Sequence, residues 1–414
     1  MFQDCTISSN QLIDSYWLSV KLANGCNCTN IRDENLIYNL HCESFPFNHD
    51  IPIQLFYIFI FSFIILLAVC GNFTVIWIVL WHERMRTVTN YYLLNLAIAD
   101  ASISIFNTGF SWSYNFYYVW IFGPTYCAIN NLMGIAPICA SVFTMIIMSI
   151  DRYVAIVYPL KPRLGRRSTV SAIILIWILA ILCGLPALLA SKQELNYFVD
   201  DSNEIFIDPI CWRCFSSIFL NSTSRAISRL ISFAMTSQFN RYNNLLMIMN
   251  YILPLIVLIF TYGRVAVVLR KSESIGDTRH YENIKAKKRA ANMLALIVFI
   301  FMFLWFPYQL YFSVLYTHLT SEYDRKTSLY IYLNIYWLGM SSTIFNPIIY
   351  YFMNERFRLG FRYAFRWLPF IKVNLNEYEY LLMTGKNHEI KALPTTRMLP
   401  TSHCDSPTPT NTYN

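Results

Sequence analysis

The chain contains few charged residues for its length. Asp, Glu, Lys and Arg make up 14% of its 414 residues, whereas about a quarter of an ordinary globular chain is charged. Hydrophobic residues account for 56% and aromatic residues for 17%. So few charges cannot cover a surface that faces water, and Trp and Tyr favour the boundary between lipid and water. Most of the chain is therefore expected to face lipid.

The sequence also lacks the patterns that indicate several other classes of protein. It contains no recognisable catalytic triad, phosphate-binding loop or Cys/His metal cluster, so no enzyme activity is expected. The net charge of +8 does not predict a nucleic-acid partner, because the basic residues fall in short clusters between apolar runs. The first twenty residues have no apolar core, so the first membrane helix, instead of a cleaved signal peptide, is expected to direct insertion.

Long segments without Asp, Glu, Lys or Arg predict membrane-spanning helices. A bilayer core of about 30 Å needs about 20 apolar residues in a helix. The charge-free segments are 51–81, 101–150, 168–191, 242–263, 290–321 and 327–354. The second is too long for one crossing, and Gly123-Pro124 marks the break, with helices expected at about 87–112 and 127–158. The sequence therefore predicts an all-α membrane protein with a bundle of seven transmembrane helices.

The distribution of Lys and Arg predicts the orientation of the bundle. Segments 161–167, 264–289 and 355–372 are rich in basic residues, whereas residues 1–50 contain six acidic residues and two basic ones. Basic loops stay in the cytoplasm, so the amino terminus is expected outside the cell and the carboxyl terminus inside. The glycosylation sequons at Asn27 and Asn221 both fall on the predicted outer side.

These patterns divide the chain into four predicted parts. In order, they are an extracellular segment, a seven-helix domain, an amphipathic membrane-surface helix and a disordered cytoplasmic tail, at residues 1–50, 51–353, 354–371 and 372–414. A transporter or a channel could also have seven helices. Transporters usually contain internal repeats and channels a filter loop or pore-lining ring, and neither is visible in this sequence.

Each predicted helix carries a short motif of polar, aromatic or proline residues. In chain order these are Gly71-Asn72, Leu96–Asp100, Asp151-Arg152-Tyr153, Trp177, Pro254 with Tyr262, Phe301 with Trp305-Phe306-Pro307, and Asn346-Pro347-Ile348-Ile349-Tyr350. In this order they resemble the rhodopsin-like (class A) G-protein-coupled receptors.

Three further segments, 152–164, 337–346 and 354–361, resemble the tachykinin receptors more closely. This resemblance implies a plasma-membrane receptor for a neuropeptide, expected to be a tachykinin-like peptide with an amidated carboxyl end. It also implies a heterotrimeric G protein of the phospholipase C-activating class as partner, and arrestin and receptor kinases at the tail. A receptor for another family of amidated neuropeptides is the alternative.

The resemblance assigns roles to residues within the bundle. Asp100, Ser141 and Asn346 match a polar site that can hold a sodium ion. No other cofactor is expected. The residues expected to switch between inactive and active states are Asp151, Arg152, Tyr153, Tyr262, Phe301, Trp305, Pro307, Asn346, Pro347 and Tyr350.

Arg152 is expected to pair with its neighbour Asp151 in one state and to face a partner protein in the other. Rhodopsin adds an acid at the start of helix 6 to hold this arginine, but residues 285–289 here are basic or alanine. Asp151 is therefore expected to hold Arg152 alone.

Cys127 matches the family cysteine that is bridged to the second outer loop. That loop offers Cys211 and Cys214. The surrounding residues align better with the family for Cys211, so a Cys127–Cys211 disulfide is expected.

The predicted pocket excludes two ligand classes. Amine receptors have a carboxylate in the outer half of helix 3, where Gly134 stands here, and opsins have a lysine in helix 7, where Met340 stands. The remaining candidates are amide, phenol and aromatic side chains suited to a peptide and its carboxamide, namely Asn107, Asn130, Asn131, Tyr308, Gln309, Phe312 and Tyr332. Ordinary interhelical hydrogen bonds are the alternative reading of each residue.

Two departures from the family are visible. Gln309 stands where tachykinin receptors usually have His, so a different peptide preference is expected. After the predicted surface helix, Trp367-Leu368 stand where family members carry palmitoylated cysteines. Phe357, Phe361 and neighbouring arginines predict that this helix lies on the inner leaflet.

Overall fold

The computed structural model describes residues 40–41, 49–158, 160, 165–199, 205–213, 241–273, 278–312 and 325–383. Within these residues, six helices are long and apolar enough to cross a membrane. They are α1 (Ile51–Trp81), α2 (Val88–Tyr117), α3 (Pro124–Val157), α4 (Arg166–Ala190), α5 (Arg241–Val268) and α6, whose apolar part is Lys288–Leu310 within the helix Thr278–Leu310. A less apolar helix, α7 (Arg325–Met353), packs against α1 and α6 and completes the predicted seven.

Two short helices follow α7. They are α8 (Glu355–Ala364) and α9 (Leu375–Tyr378), the second continued by a π-helical turn at Glu379–Met383. We call the end of the bundle that carries Cys127 the outer end and the end that carries Arg152 the inner end. α8 and α9 both lie at the inner end, against α1.

Proline and glycine determine where the helices begin and bend. Pro52 occupies the first turn of α1, where its missing N–H costs no hydrogen bond. α3 is interrupted at Gly134–Ile135, just before Pro137. A π-helical segment, Ser104–Thr108, interrupts α2. These breaks change the direction of side chains in the outer halves of α2 and α3, where the candidate pocket lies.

The bundle has a buried centre and an apolar outer surface. α2 and α3 are mostly buried, whereas α1, α4 and α5 expose most of their apolar windows, as helices facing lipid do. The inner core contains Tyr92, Met148 and Tyr350, and the outer core contains Phe61 and Trp305.

A small sheet covers the outer end. β1 (Leu40–His41) pairs in parallel with β2 (Ser191–Val199), which forms an antiparallel hairpin with β3 (Ile205–Arg213). Gln193 is opposite Cys211 in this hairpin. The sequons at Asn27 and Asn221, and Cys214, lie outside the described residues.

The structure corrects the predicted surface helix and tail. The surface helix was expected at 354–371 but ends at Ala364, with Asn354 accepting a hydrogen bond from the Arg356 N–H at 3.1 Å as its cap. The tail was expected to be disordered from residue 372, yet residues 375–383 are helical. The physical reason is that Tyr378 and Leu382 bury apolar surface against the bundle. Residues 384–414 lie outside the described residues.

Gly71 in α1 offers a direct test of the packing between α1 and α7. A Cβ atom at this position would lie 3.1 Å from two ring carbons of Pro347, and a proline ring cannot rotate away. We expect Gly71→Val to destabilise the bundle by about 1–3 kcal/mol, the usual cost of overpacking. The measurement is the thermal unfolding midpoint of the purified chain.

Gly263→Val is the matched control, because a Cβ atom at Gly263 has no neighbour within 4 Å. A fall in Tm of equal size for the two variants would contradict the close approach of α1 and α7.

Candidate functional site

A disulfide fixes the outer hairpin to the start of α3. Cys127 is bonded to Cys211, with their Cα atoms 5.7 Å apart, so the cysteine favoured by the family alignment is the partner. Trp120, fully buried beside this bond, donates its backbone N–H to the Pro209 carbonyl at 2.7 Å. The sequence reading did not single out Trp120. A tryptophan in so short a loop was the available signal.

Two of the predicted pocket residues lie deep and bond to each other. The Asn107 amide nitrogen donates to the Asn130 side-chain oxygen at 3.1 Å and to the Ser111 hydroxyl at 2.9 Å. The Tyr336 hydroxyl donates to the Asn107 oxygen at 3.2 Å. Asn107 and Asn130 are buried. In this structure they form a hydrogen bond between α2 and α3, which is the alternative role stated above.

Gly134 is required for this amide network. A Cβ atom at Gly134 would lie 3.0 Å from the Asn107 amide nitrogen. The absence of a side chain at the position where amine receptors have an acid therefore makes room for Asn107. Any larger residue there would push the amide out of its hydrogen bonds.

Asn131 lies between α3 and the outer hairpin. Its amide nitrogen donates to the Ser191 hydroxyl at 2.8 Å, and Ser191 is the first residue of β2. The side chain is partly buried and lies beside the disulfide, with its nitrogen 3.6 Å from the Cys211 sulfur. Asn131 therefore helps to position the hairpin over the bundle.

Of the other four predicted pocket residues, Tyr308, Phe312 and Tyr332 are in ring contact between α6 and α7. We call this group, together with Gln309, which follows Tyr308 in α6, the mouth of the bundle. Tyr308, Gln309 and Tyr332 are partly exposed, and Phe312 is 38% exposed. The Tyr308 and Phe312 rings are 4.8 Å apart, and the Phe312 and Tyr332 rings 6.0 Å apart. None of the four side chains is charged, so the mouth combines aromatic surface with amide and phenol hydrogen-bonding groups.

A continuous column of aromatic rings leads from the mouth into the bundle. Tyr308 packs edge-on against Trp305 at 5.4 Å, and Trp305 packs against Phe301 at 5.8 Å. The Trp305 indole N–H donates to the Ser342 hydroxyl at 3.1 Å. Pro307 lies within α6 between the mouth and Trp305, where the missing N–H weakens the helix. Displacement of Tyr308 would therefore press directly on Trp305.

Below Trp305, a buried carboxylate connects α2, α3 and α7. The Asn346 amide donates to one Asp100 oxygen at 2.7 Å, and the Ser141 hydroxyl donates to the other at 3.4 Å. The three predicted sodium-site residues are thus together. Carboxylate and hydroxyl oxygens are the donors that hard cations prefer, so the donor set fits such an ion.

The inner end holds Arg152 with two groups. Its Nε donates to the Asp151 carboxylate at 3.1 Å, and its Nη2 donates to the Thr89 hydroxyl at 2.7 Å. The expectation that Asp151 holds Arg152 alone is therefore wrong. Thr89 at the start of α2 supplies the second hydrogen bond. The sequence prediction considered only acidic partners for Arg152 and so did not include a hydroxyl.

A second inner contact ties α6 to the segment after α7. Arg289 donates to the Met353 carbonyl at 2.8 Å and to the Glu355 carboxylate at 3.1 Å. The basic cluster that lacks the acid seen in rhodopsin thus supplies a cation to an acid on α8. Both side chains are largely exposed, so this ion pair is weak, at most about 1 kcal/mol.

The remaining predicted switch residues line the space between these contacts. The hydroxyls of Tyr262 and Tyr350 are buried and, within the described residues, have no hydrogen-bond partner. Tyr350 packs on Phe357 of α8 at 5.3 Å, and Tyr153 packs on Phe260 of α5 at 6.1 Å. Tyr350 belongs to the buried inner core, and Tyr262 packs against it.

Comparison with known proteins agrees with this geometry. Residues 71–350 match the family model of the seven-transmembrane receptors of the rhodopsin family. The chain is 38% identical over 331 residues to the neuromedin-K receptor of Homo sapiens, which covers 79% of this chain and 65% of that protein. It is 36% identical over 331 residues to the tachykinin-like peptides receptor 99D of Drosophila melanogaster, covering 78% of this chain and 60% of that protein.

The match to the human substance-P receptor is 35% identical over 344 residues and covers 81% of this chain and 78% of that receptor. The chain spans less than two thirds of the length of the first two relatives and most of the third. The residues matched by the family model run from Gly71 in α1 to Tyr350 in α7 and so include the motifs. The chain belongs to the rhodopsin family of seven-transmembrane receptors and, within it, to the tachykinin receptors.

Proposed function

We propose that this protein is a plasma-membrane receptor for an amidated, tachykinin-like neuropeptide that signals through a heterotrimeric G protein. The observation that carries the proposal is the aromatic column from the mouth to Trp305. It offers a packed route from an uncharged outer mouth towards the inner end, where Arg152 is held. In this proposal the amino terminus of the receptor faces the outside of the cell and the carboxyl terminus faces the cytoplasm. The basic segments at the inner end favour this orientation.

The chemistry of the mouth favours a peptide with a neutral end. A buried amine would need a carboxylate partner, and a free terminal carboxylate would need a cation. Tyr308, Gln309, Phe312 and Tyr332 supply neither. A carboxamide both donates and accepts hydrogen bonds, so it suits an amide and phenols, while aromatic peptide side chains stack on the mouth.

Activation is a shift between two arrangements of the bundle. A peptide that packs better when Tyr308 and Trp305 are displaced stabilises that arrangement. The kink at Pro307 converts the displacement into movement of the inner end of α6, which breaks the weak Arg289–Glu355 contact. Arg152 then leaves Asp151 and Thr89 and faces the G protein. Tyr262 and Tyr350 lie in the inner core next to this opening.

In this scheme the cluster around Asp100 stabilises the inactive arrangement. Asp100, Ser141 and Asn346 would hold a sodium ion, which supplies positive charge to a carboxylate that is otherwise costly in a membrane. In this arrangement Asn346 is drawn to Asp100 at 2.7 Å. The G protein of this scheme is of the phospholipase C-activating class, and receptor kinases and arrestin act on the cytoplasmic tail.

A receptor for a different amidated neuropeptide is the second candidate. Gln309, in place of the histidine usual among tachykinin receptors, favours it. A calcium reporter assay with tachykinin-type and other amidated peptides, beside biogenic amines, distinguishes the two candidates. Activation by an amine at low concentration would contradict both.

Gln309 provides the test of ligand chemistry. We expect the amidated peptide to be far more potent than its free-acid form, because the mouth residues offer no cation to a carboxylate. Gln309→Leu should weaken the amidated peptide by about 1–3 kcal/mol, the cost of leaving a buried polar partner unpaired. Peptide displacement on membranes measures both effects.

Gln54→Leu is the matched control, since Gln54 donates to the His49 carbonyl at the outer end of α1 instead of lining the mouth. Equal potency of the acid and amide forms would overturn the carboxamide assignment.

Thr89 provides the test of the inner contact. Thr89→Val removes the hydroxyl that holds Arg152 but leaves Asp151 in place. Loss of about 1 kcal/mol from the inactive arrangement should raise basal signalling by about fivefold. Nucleotide exchange on the G protein, measured without peptide at matched surface expression, reports this rise.

Thr74→Val is the control, because the Thr74 hydroxyl donates to the Cys70 carbonyl within its own helix, α1, at 2.7 Å. Basal exchange that stays unchanged in Thr89→Val, or rises equally in Thr74→Val, would remove Thr89 from the mechanism.

A further inference from the structure

The cytoplasmic segment after α8 folds back onto the bundle. Residues 374–383 begin at Asn374, whose side chain accepts a hydrogen bond from the Glu377 N–H, and form α9 with its π-helical continuation. Within this segment Tyr378 is 2% exposed and Leu382 is 1% exposed. Both belong to the same buried cluster as Phe357 of α8 and Ile78 of α1. The segment therefore packs as part of the inner core.

A neutral hydrogen bond joins this segment to the end of α1. The His82 Nδ1 lies 2.8 Å from the Ile78 carbonyl. A carbonyl only accepts, so Nδ1 carries the proton. The other nitrogen, Nε2, then accepts from the Tyr378 hydroxyl at 2.7 Å. Burial lowers the pKa of His82, and burial together with Tyr363 raises the pKa of Tyr378 to about 12. Both groups are thus neutral at cytoplasmic pH.

The same tyrosine joins α8. The Tyr378 ring stacks on Tyr363 with centroids 3.8 Å apart and planes 8° from parallel. The Arg366 guanidinium lies 4.0 Å from the Tyr363 centroid, so it must occupy the opposite face of that ring. Arg84 also donates to the Tyr380 carbonyl. Tyr378 is therefore held between His82 of the first inner turn and Tyr363 of α8.

We propose that residues 374–383 form a latch that fastens α8 to α1, and that Tyr378 is a tyrosine phosphorylation site whose modification releases the latch. The latch occupies the role that the family gives to an acyl chain after α8, where this chain has Trp367-Leu368. The proposal does not depend on which ligand the outer mouth binds.

Phosphorylation is incompatible with the docked position for steric and electrostatic reasons. A tyrosine kinase transfers the γ-phosphoryl group of ATP to the phenol oxygen of Tyr378, releasing ADP and the phenolic proton. The product carries about −1.5 to −2 charges at pH 7. The oxygen that would bear it sits 2.7 Å from His82 and is sealed from water. Arg366 lies over the Tyr363 ring, and its attraction for negative charge on the Tyr378 oxygen is smaller than the cost of burying that charge.

The kinase acts on the transiently undocked latch. The segment is short and its two buried side chains are its main contacts, so local opening costs far less than global unfolding. Once modified, Tyr378 cannot return to the buried site, and the open form accumulates. The Tyr363 face, Leu382 and the His82 nitrogen are then exposed to the cytoplasm.

Tyr380 is an internal control for this proposal. It lies two residues further along the same segment and follows Glu379 as Tyr378 follows Glu377, but its side chain is 68% exposed. The full-length chain in lipid nanodiscs is treated with a soluble tyrosine kinase and MgATP. Mass spectrometry assigns phosphate to each tyrosine, and hydrogen exchange reports the protection of amides 374–383.

We expect Tyr380 to be phosphorylated faster than Tyr378 in the unsubstituted chain. In Tyr380→Phe, phosphate on Tyr378 should lower amide protection across the segment by about tenfold or more. In Tyr378→Phe, phosphate on Tyr380 should leave protection unchanged relative to the unphosphorylated variant. Leu382→Ala, which loosens the latch, should speed modification of Tyr378 but not of Tyr380.

Three results would overturn the proposal. Unprotected amides at 374–383 in the unmodified chain would show that there is no latch. Unchanged protection after phosphorylation of Tyr378 would show that the modification does not release it. Failure of Tyr378 to accept phosphate even in Leu382→Ala would remove it as a modification site.

Discussion

Arg152 is held at the inner end of α3 by the Asp151 carboxylate and the Thr89 hydroxyl. A guanidinium is always charged, so wherever it points it must find partners or water. In this structure the partners come from α2 and α3, which are the most buried helices of the bundle. The other inner contacts are weaker, because Arg289 and Glu355 are exposed. The inactive arrangement of the inner end therefore depends mainly on the hydrogen bonds that Arg152 makes to Asp151 and Thr89.

The outer half of the bundle has one fixed side and one more adaptable side. The disulfide, the buried Trp120 and the Asn131–Ser191 hydrogen bond fix the hairpin over α3. The α6–α7 side instead presents the uncharged, partly exposed rings of Tyr308, Phe312 and Tyr332. A peptide bound at the mouth, with the fixed hairpin opposite, would therefore act chiefly on α6. Trp305 and Pro307 lie directly below that contact.

Much of the fold could be predicted from the sequence, because lipid excludes charge and the charge-free segments therefore mark the spans. The inner motif residues and the Cys127–Cys211 bridge followed from resemblance. Thr89 and Arg289 could not be found this way, since each bonds to a residue more than sixty positions away. Such contacts depend on how separate helices pack. Asn107 and Asn130 have the right chemistry for a ligand, but their neighbours satisfy them.

The tail shows a different limit of sequence reading. Its polar, Thr-rich composition predicts disorder for residues 372–414 as a whole. The composition of the whole tail does not reveal the short apolar segment Tyr378–Met383. This segment contains Tyr378 and Leu382, which pack into the inner core. Whether such a run folds depends on a complementary surface elsewhere, here formed by His82, Phe357 and Tyr363.

The central claim is that a peptide at the outer mouth moves the inner end of α6 and breaks its contact with Glu355 of α8. The most direct test is a spin-label distance measurement between positions 167 on α4 and 292 on α6, which are both exposed. The label sites are cysteines, and every native cysteine except the disulfide pair Cys127 and Cys211 is exchanged for Ser. The account predicts a longer-distance population when a binding amidated peptide is added, and a smaller one with the free acid. An identical distance distribution with and without the bound peptide would contradict it.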